Sequence, residues 1–247
     1  MGVQAEMRSQ YINRVLFGIQ ARSTSKRFPG KVHQKIGNRT LIECLLDSVD
    51  ESIRYMRRSL NFPVEFSIAL LIPEGDELSR YRTRCAIVEG DEENVLSRYY
   101  KAASLFRPDF LVRLTGDCPA LPDFMISKHV RSAIFGPCDY VSNCSPGFRT
   151  VPDGWDVEVI SKRLFHWIYE NAKTLSDQEH VTSVLNRMTP PEWATIGHVI
   201  GHADFSNLKL SVDTKSDLEV VKLHMHKIDA MVDEAKTYRQ NSIVFRL

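Results

Sequence analysis

The sequence predicts an α/β fold of three layers built on a mostly parallel sheet. Short β-like runs alternate with stretches of helical apolar spacing, the pattern of parallel strands joined by crossover helices. The 247 residues suffice to bury one substantial core. No Pro/Gly/Ser-rich linker, internal repeat or low-complexity tract divides them, so residues 13–236 read as a single domain between a flexible arm, 1–12, and a C-terminal tail, 237–247.

The first strand is expected over residues 14–20, followed by a loop rich in Ser, Lys, Pro and Gly to about Arg39. A helix over 40–56 repeats Ile42, Leu45, Val49, Ile53 and Met56 at spacings of three and four, one helical face. Residues 65–72 and 85–89 are the second and third strands. Helical spacing returns over 94–106, where Leu96, Tyr99, Ala103 and Phe106 share a face. Residues 110–114 form a short buried strand, Tyr140 and Val141 begin another, and 156–160 alternates as a third. Helices are expected over 162–171 and 178–188, and strands over 195–200 and 208–212. The last helix opens at a capping box, Thr214 with Asp217 three residues on, and its stripe is Leu218, Val221, Met225, Ile228 and Val232. From Thr237 the chain reads as irregular.

Lys plus Arg number 32 against 31 Asp plus Glu. This balance speaks against a nucleic-acid partner, which usually requires a basic excess or stripe. Five cysteines, Cys44, Cys85, Cys118, Cys138 and Cys144, contain no C-x-x-C pair, and fit reduced thiols of a cytoplasmic protein better than a disulfide framework. Residues 1–10 are polar, and the first apolar run, 15–19, is too short for a signal core. No stretch reaches membrane-spanning length, and Glu6 stands where a myristoylation motif wants Ser or Thr. The expectation is a cytoplasmic protein with neither a membrane nor a nucleic-acid partner.

The strongest chemical signal is the run IQARSTSKRFPGK, from Ile19 to Lys31. A strand passes directly into a loop of small and hydroxylated residues bearing four cations, Arg22, Lys26, Arg27 and Lys31. At the carboxyl end of a parallel strand such a loop lies where α/β folds bind ligands, and its backbone N–H groups and cations suit a phosphate chain. From composition alone it reads equally well as a solvated basic surface. It is not a G-x-x-x-x-G-K-[ST] loop, so a P-loop ATPase is excluded.

Here the chain resembles the cytidylyltransferases, whose pattern R-x-x-S-x-R-[LF]-P-G-K is met from Arg22 to Lys31. It looks most like the spore coat polysaccharide biosynthesis F branch, which is similar to the acylneuraminate and 3-deoxy-manno-octulosonate cytidylyltransferases. Further blocks follow in family order: EGDEENVLSRYY from Glu89, RLTGDCP from Arg113, YVSN from Tyr140, PDGWDVE from Pro152, SDQEHVT from Ser176 and SVDT from Ser211. Two positions depart from the pattern: Ser23-Thr24 replaces the usual Met-Gly, and acidic Glu89 stands where a basic or neutral residue is common.

The resemblance implies a glycosyltransferase-A-like (Rossmann-like) fold and transfer of CMP from CTP to a small anionic, sugar-like acceptor, in surface-polysaccharide or modified-sugar biosynthesis. It implies Arg22, Lys31 and Asp117 as catalytic residues, and Ala21, Arg22, Ser25, Lys31, Gly90, Asp91 and Arg98 around the nucleotide. It assigns Mg²⁺ to Asp117 and Asp213, and suggests a homodimer with residues 156–188 as its contact. Each of these aspartates follows an apolar strand, and Mg²⁺ takes one or two carboxylates together with phosphates and water. Without the resemblance, Asp213 reads first as part of a helix cap and Asp117 as a turn residue.

Candidates for the acceptor side are Asn143, Asp153, Asp156, Glu158, Glu179 and His180. Three carboxylates lie within residues 153–158, and Asp156 and Glu158 share a face if that segment is a strand; the same run also reads as an exposed strand start. Histidine titrates near neutrality, so His180 suits orienting the acceptor or taking its proton. His224 and His226 are two apart on a helix and face different ways, His198 and His202 flank a turn, and Trp155, Trp167 and Trp193 read as packing residues. Transfer to a phosphorylated or phosphonate acceptor, or an inactive nucleotide- or partner-binding relative, are the alternatives. A glycosyltransferase consuming a nucleotide sugar is disfavoured because no D-x-D motif is present.

Overall fold

In the computed structural model, which describes residues 14–201, 203–224 and 243–246, the apolar run 15–19 is buried throughout, as a strand covered on both faces requires. It lies in β1 (Arg14–Gln20), between two parallel neighbours, β4 (Glu65–Pro73) and β6 (Phe110–Thr115). β5 (Ala86–Gly90) extends the parallel set beyond β4. A separate hairpin of β2 (Lys35–Ile36) and β3 (Arg39–Thr40) follows the cationic loop. On the other side of β6 the sheet is mixed. β8 (Glu158–Ser161) runs antiparallel to β6 and to β7 (Tyr140–Ser142), β9 (Ile196–Val199) is parallel to β7, and β10 (Ile243–Arg246) is antiparallel to β9. The sheet order is β10-β9-β7-β8-β6-β1-β4-β5.

Strand alternation produces the three layers. Val15, Phe17 and Ile19 join the core formed with α1 (Leu41–Ser59) and α3 (Asp123–Phe135), whereas Leu16 joins the core formed with α2 (Val95–Phe106) and α4 (Lys162–Asn171). The amino end of α1 is fixed by a capping box: Thr40 Oγ1 accepts from the Glu43 N–H at 3.3 Å, and Glu43 Oε2 accepts from the Thr40 N–H at 2.8 Å. The capping box expected at Thr214 is also formed, Asp217 N–H to Thr214 Oγ1 at 3.2 Å and Thr214 N–H to Asp217 Oδ2 at 2.8 Å, with helix over 215–224.

The structure corrects the sequence reading in five places. α3 has no counterpart in it, because Phe124, Met125, Ile126, His129, Val130, Ala133 and Ile134 are all buried and blur any single stripe. The helix expected over 178–188 is two, α5 (Leu175–His180) and α6 (Val184–Arg187), broken at Val181 with φ 56°. The strand expected over 208–212 is irregular, its ladder reduced to a bridge between Lys209 and Asp153. The strand expected over 156–160 begins only at Glu158, so Asp156 and Glu158 do not share a strand face. The tail read as irregular contains β10. The arm 1–12, most of the tail, His202, His226 and the stripe residues Met225, Ile228 and Val232 lie outside the described residues. No helix among the described residues is long and apolar enough to cross a membrane.

Candidate active site

Parallel strands β1 and β6 end side by side, and the chain leaves both at the same edge of the sheet. Gly116 makes the close approach possible. Its N–H donates to the Gln20 carbonyl at 2.9 Å, and a Cβ there would come within 2.8 Å of Ala21 Cβ. A cleft of about 470 Å³ opens above this junction. Its floor and cationic wall include Ala21, Arg22, Ser25, Lys31, Arg98 and Asp117. Glu179, His180 and Asp213 close it from other segments.

Lys31 organises the centre. Gly30, with φ 68°, turns the chain into a single 3-10 turn, Lys31–His33, in a left-handed conformation that favours glycine. The Lys31 Nζ lies 2.6 Å from Asp117 Oδ2 and 3.1 Å from Asp213 Oδ1, with its side chain largely buried. Asp213 also receives Arg27 Nη2 at 2.7 Å and Lys209 Nζ at 3.0 Å. Burial raises the Asp213 pKa, but its hydrogen bonds to Lys209 and Lys31 and their positive charges outweigh that and hold it below the usual carboxylate range. Asp117 and Asp213 thus converge on one cation and present hard oxygen donors to a common point, a set that suits a divalent ion completed by phosphate and water.

The rest of the loop is tied to the turn before α2. Arg22 Nη1 and Thr24 Oγ1 both reach Glu92 Oε1, at 3.4 and 2.5 Å. Asp91, expected at the nucleotide, instead accepts the N–H groups of Glu93 and Asn94 at 2.8 and 2.7 Å and builds that turn. Gly90 ends β5 against the Arg98 side chain. Arg98 is buried; its Nη1 donates to the Leu71 carbonyl at 2.6 Å, and desolvation, with Arg22 nearby, lowers its pKa against the pull of Tyr99, Asp91 and Glu92.

Of the acceptor candidates, Glu179 and His180 reach the cleft. Val181 follows them in a γ-turn of φ 56° and ψ −60°, closed by Thr182 N–H to the His180 carbonyl at 2.5 Å. That is a strained conformation for a β-branched residue. The Thr182 hydroxyl donates to Glu158 Oε1 at 2.7 Å. Glu158 is buried and also accepts from Arg113 Nη1 and the Tyr140 hydroxyl, so its carboxylate is already engaged, and it does not line the cleft. Asn143 is buried as well, donating to the Trp155 carbonyl at 2.7 Å and accepting the Val157 N–H at 2.9 Å. Asp156 makes a two-pronged pair with Arg149 at 2.7 and 2.9 Å. Burial pushes the Asp156 pKa up, helped by Asp153 and Glu158 and opposed by Arg149. Asp153 accepts the Ser211 hydroxyl at 2.7 Å.

Arg27 enters the sequence reading only as one of the loop's four cations, with no role of its own, and Lys209 does not enter it. The four-residue spacing of Lys209 and Asp213 is a readable signal for a helix, but here the pair forms in irregular chain. Glu92 carried no signal, since its approach to Arg22 comes from tertiary folding.

In a three-layer α/β fold, the cationic loop after β1 is thus set against two converging carboxylates, Asp117 just after β6 and Asp213 in irregular chain. Residues 17–182, more than half of the chain, match the family model described as Cytidylyltransferase, and the protein belongs to that family. It is 30% identical over 218 residues to the spore coat polysaccharide biosynthesis protein SpsF of Bacillus subtilis, spanning 85% of this chain and 86% of that protein. The fold is shared with a cytidylyltransferase from Leptospira borgpetersenii at TM-score 0.76 and 21% identity, over 95% of this chain and all of that one. A CMP:2-keto-3-deoxy-manno-octonic acid synthetase complexed with CTP shares it at TM-score 0.61 and 14% identity, over 87% and 99% of the two chains.

Proposed function

We propose that the protein transfers CMP from CTP to a small anionic, sugar-like acceptor and releases pyrophosphate, as a step in surface-polysaccharide or modified-sugar biosynthesis in the cytoplasm. The observation that carries this reading is the convergence of Lys31, Asp117 and Asp213 in a cleft that Arg22 and Arg98 also line. The donor set fits Mg²⁺, which Asp117 and Asp213 would hold and which, when bound, would neutralise phosphate charge and polarise the α-phosphate.

The acceptor oxygen forms a bond to the α-phosphorus while the bond from that phosphorus to the α–β bridging oxygen breaks. The electron pair leaves with pyrophosphate. Such a displacement needs alignment and charge neutralisation more than covalent help from the protein. Arg22 and Lys31 supply positive charge where the leaving group becomes more negative. Cytosine is assigned to the end of the cleft near Ala21 and Arg98. His180, which also lines the cleft, is assigned to orient the acceptor and take its proton.

Dimerisation through residues 156–188 is part of the same proposal, supported by exposed Tyr169 and Leu175 in that segment; sedimentation velocity tests it. The activity is tested by incubating the protein with CTP, Mg²⁺ and a panel of acidic sugars, phosphosugars and phosphonates. An acidic sugar should release pyrophosphate and yield its CMP conjugate. Turnover of a phosphosugar or phosphonate alone would replace the acceptor class.

A further inference from the structure

Four hydrogen bonds meet on Ser23, at the root of the cationic loop. Its N–H donates to Asp76 Oδ2 at 2.8 Å, its Oγ lies 2.7 Å from Asp76 Oδ1 and 2.9 Å from His33 Nε2, and its carbonyl accepts the Gly30 N–H at 2.8 Å. Asp76 is itself fixed by the Leu78 N–H at 2.9 Å, and Ser23 and Asp76 are both buried.

Donor chemistry gives this network a direction. A guanidinium only donates, so Arg80 Nη2, 2.8 Å from His33 Nδ1, makes that nitrogen an acceptor. The neutral ring then carries its proton on Nε2 and donates it to Ser23. A carboxylate only accepts, so Ser23 gives its own proton to Asp76. Burial and the adjacent Arg80 lower the His33 pKa, against the opposing pull of Glu77 and Asp76, and this favours the neutral ring. The chain Arg80 to His33 to Ser23 to Asp76 therefore runs one way.

Its consequence reaches the cleft through the backbone. The Ser23 carbonyl holds the Gly30 N–H, which closes the loop over residues 23–30 and fixes the point from which Lys31 departs. The related family pattern carries Met at position 23, which offers neither the hydroxyl nor its bonds.

We propose that Ser23 is a positioning residue for nucleotidyl transfer, locked between Asp76 and His33 so that the loop delivers Lys31 to the phosphate chain. This rests on the function proposed above. Ser23→Ala should lower kcat with CTP about tenfold, and less than twofold when Lys31 is already alanine, because coupled residues are non-additive. His33→Gln, whose amide N–H replaces Nε2–H, should stay within about twofold of the unmodified protein, while His33→Ala should match Ser23→Ala. Long-range ¹H–¹⁵N spectra of the unmodified protein at neutral pH should show His33 protonated on Nε2 alone. An equal loss from Ser23→Ala in both backgrounds, or a proton on Nδ1 of His33, would overturn the proposal. The tautomer is read without turnover, so a protein inert toward CTP would refute the functional reading while the relay itself was still tested.

Discussion

The backbone N–H of Val212 donates to the carbonyl of Asp117 at 2.9 Å. This single bond joins the turn after β6 to the irregular segment before the last described helix, and it places Asp213 beside Asp117. Two carboxylates far apart in sequence thereby meet on the same ammonium.

Both aspartates should be required. Asp117→Asn and Asp213→Asn should each remove most turnover while leaving the fold intact, because a neutral amide binds Mg²⁺ poorly. Steady-state kinetics across a Mg²⁺ titration, with circular dichroism as the control for folding, checks this. Near-normal rates in either variant at saturating Mg²⁺ would remove the metal assignment.

Lys31 should act mainly in the transition state. Charge grows on the departing pyrophosphate, so a cation placed there stabilises the transition state more than bound CTP. Lys31→Ala should lower kcat about a hundredfold, with only a several-fold rise in KM for CTP. Lys26, on the same loop as Lys31, is the control: it is exposed, 3.7 Å from Glu93 in the turn before α2, and its alanine variant should lose much less. Equal behaviour of the two variants would reduce the loop to generic basic surface.

Gly116 should tolerate no side chain. Its Cβ would press on Ala21 Cβ at 2.8 Å and on the Gln20 carbonyl at 3.3 Å, so Gly116→Ala must displace the start of the cationic loop. A stability loss of about 1–3 kcal/mol is expected in a denaturant titration, together with a fall in kcat. Unchanged values of both would show that the junction has room to give.

Asp217 should leave a signature in acid. Burial works against its charge, but Lys209 and the N–H groups of Asp213 and Thr214 outweigh it and bring the pKa down to about 2. An unfolded aspartate titrates at about 3.9. The folded pKa is the lower one, so the stabilisation is complete above about pH 3.9 and is lost as the pH falls toward about 2. Asp217→Asn keeps an acceptor for the helix cap but has no charge. Its unfolding free energy should therefore depend less steeply on pH between about 4 and 2, as followed by circular dichroism.

How far the molecule was legible in its sequence depended on how local each signal was. The run at residues 15–19, the stripe of α1 and the cap at Thr214 are local patterns, and each forms as its spacing requires. α3 escaped because a helix buried nearly all round carries no stripe. The break at Val181 escaped because tertiary contacts, among them burial of Val181 itself and the Thr182 hydroxyl on Glu158, accompany a β-branched residue in that turn. In the site, the cationic loop was visible as a motif. The engagement of Glu158 by Arg113 and Tyr140 was not, since three strands separated in sequence must first align.

If this cleft moves a cytidylyl group, it must select CTP among the nucleoside triphosphates. Pyrophosphate release measured with CTP, UTP, ATP and GTP in turn, with Mg²⁺ and a responsive acceptor, tests it most directly. The kcat/KM for CTP should stand at least about tenfold above each of the others, or about 1.4 kcal/mol in transition-state terms. A preference for UTP, ATP or GTP would contradict it.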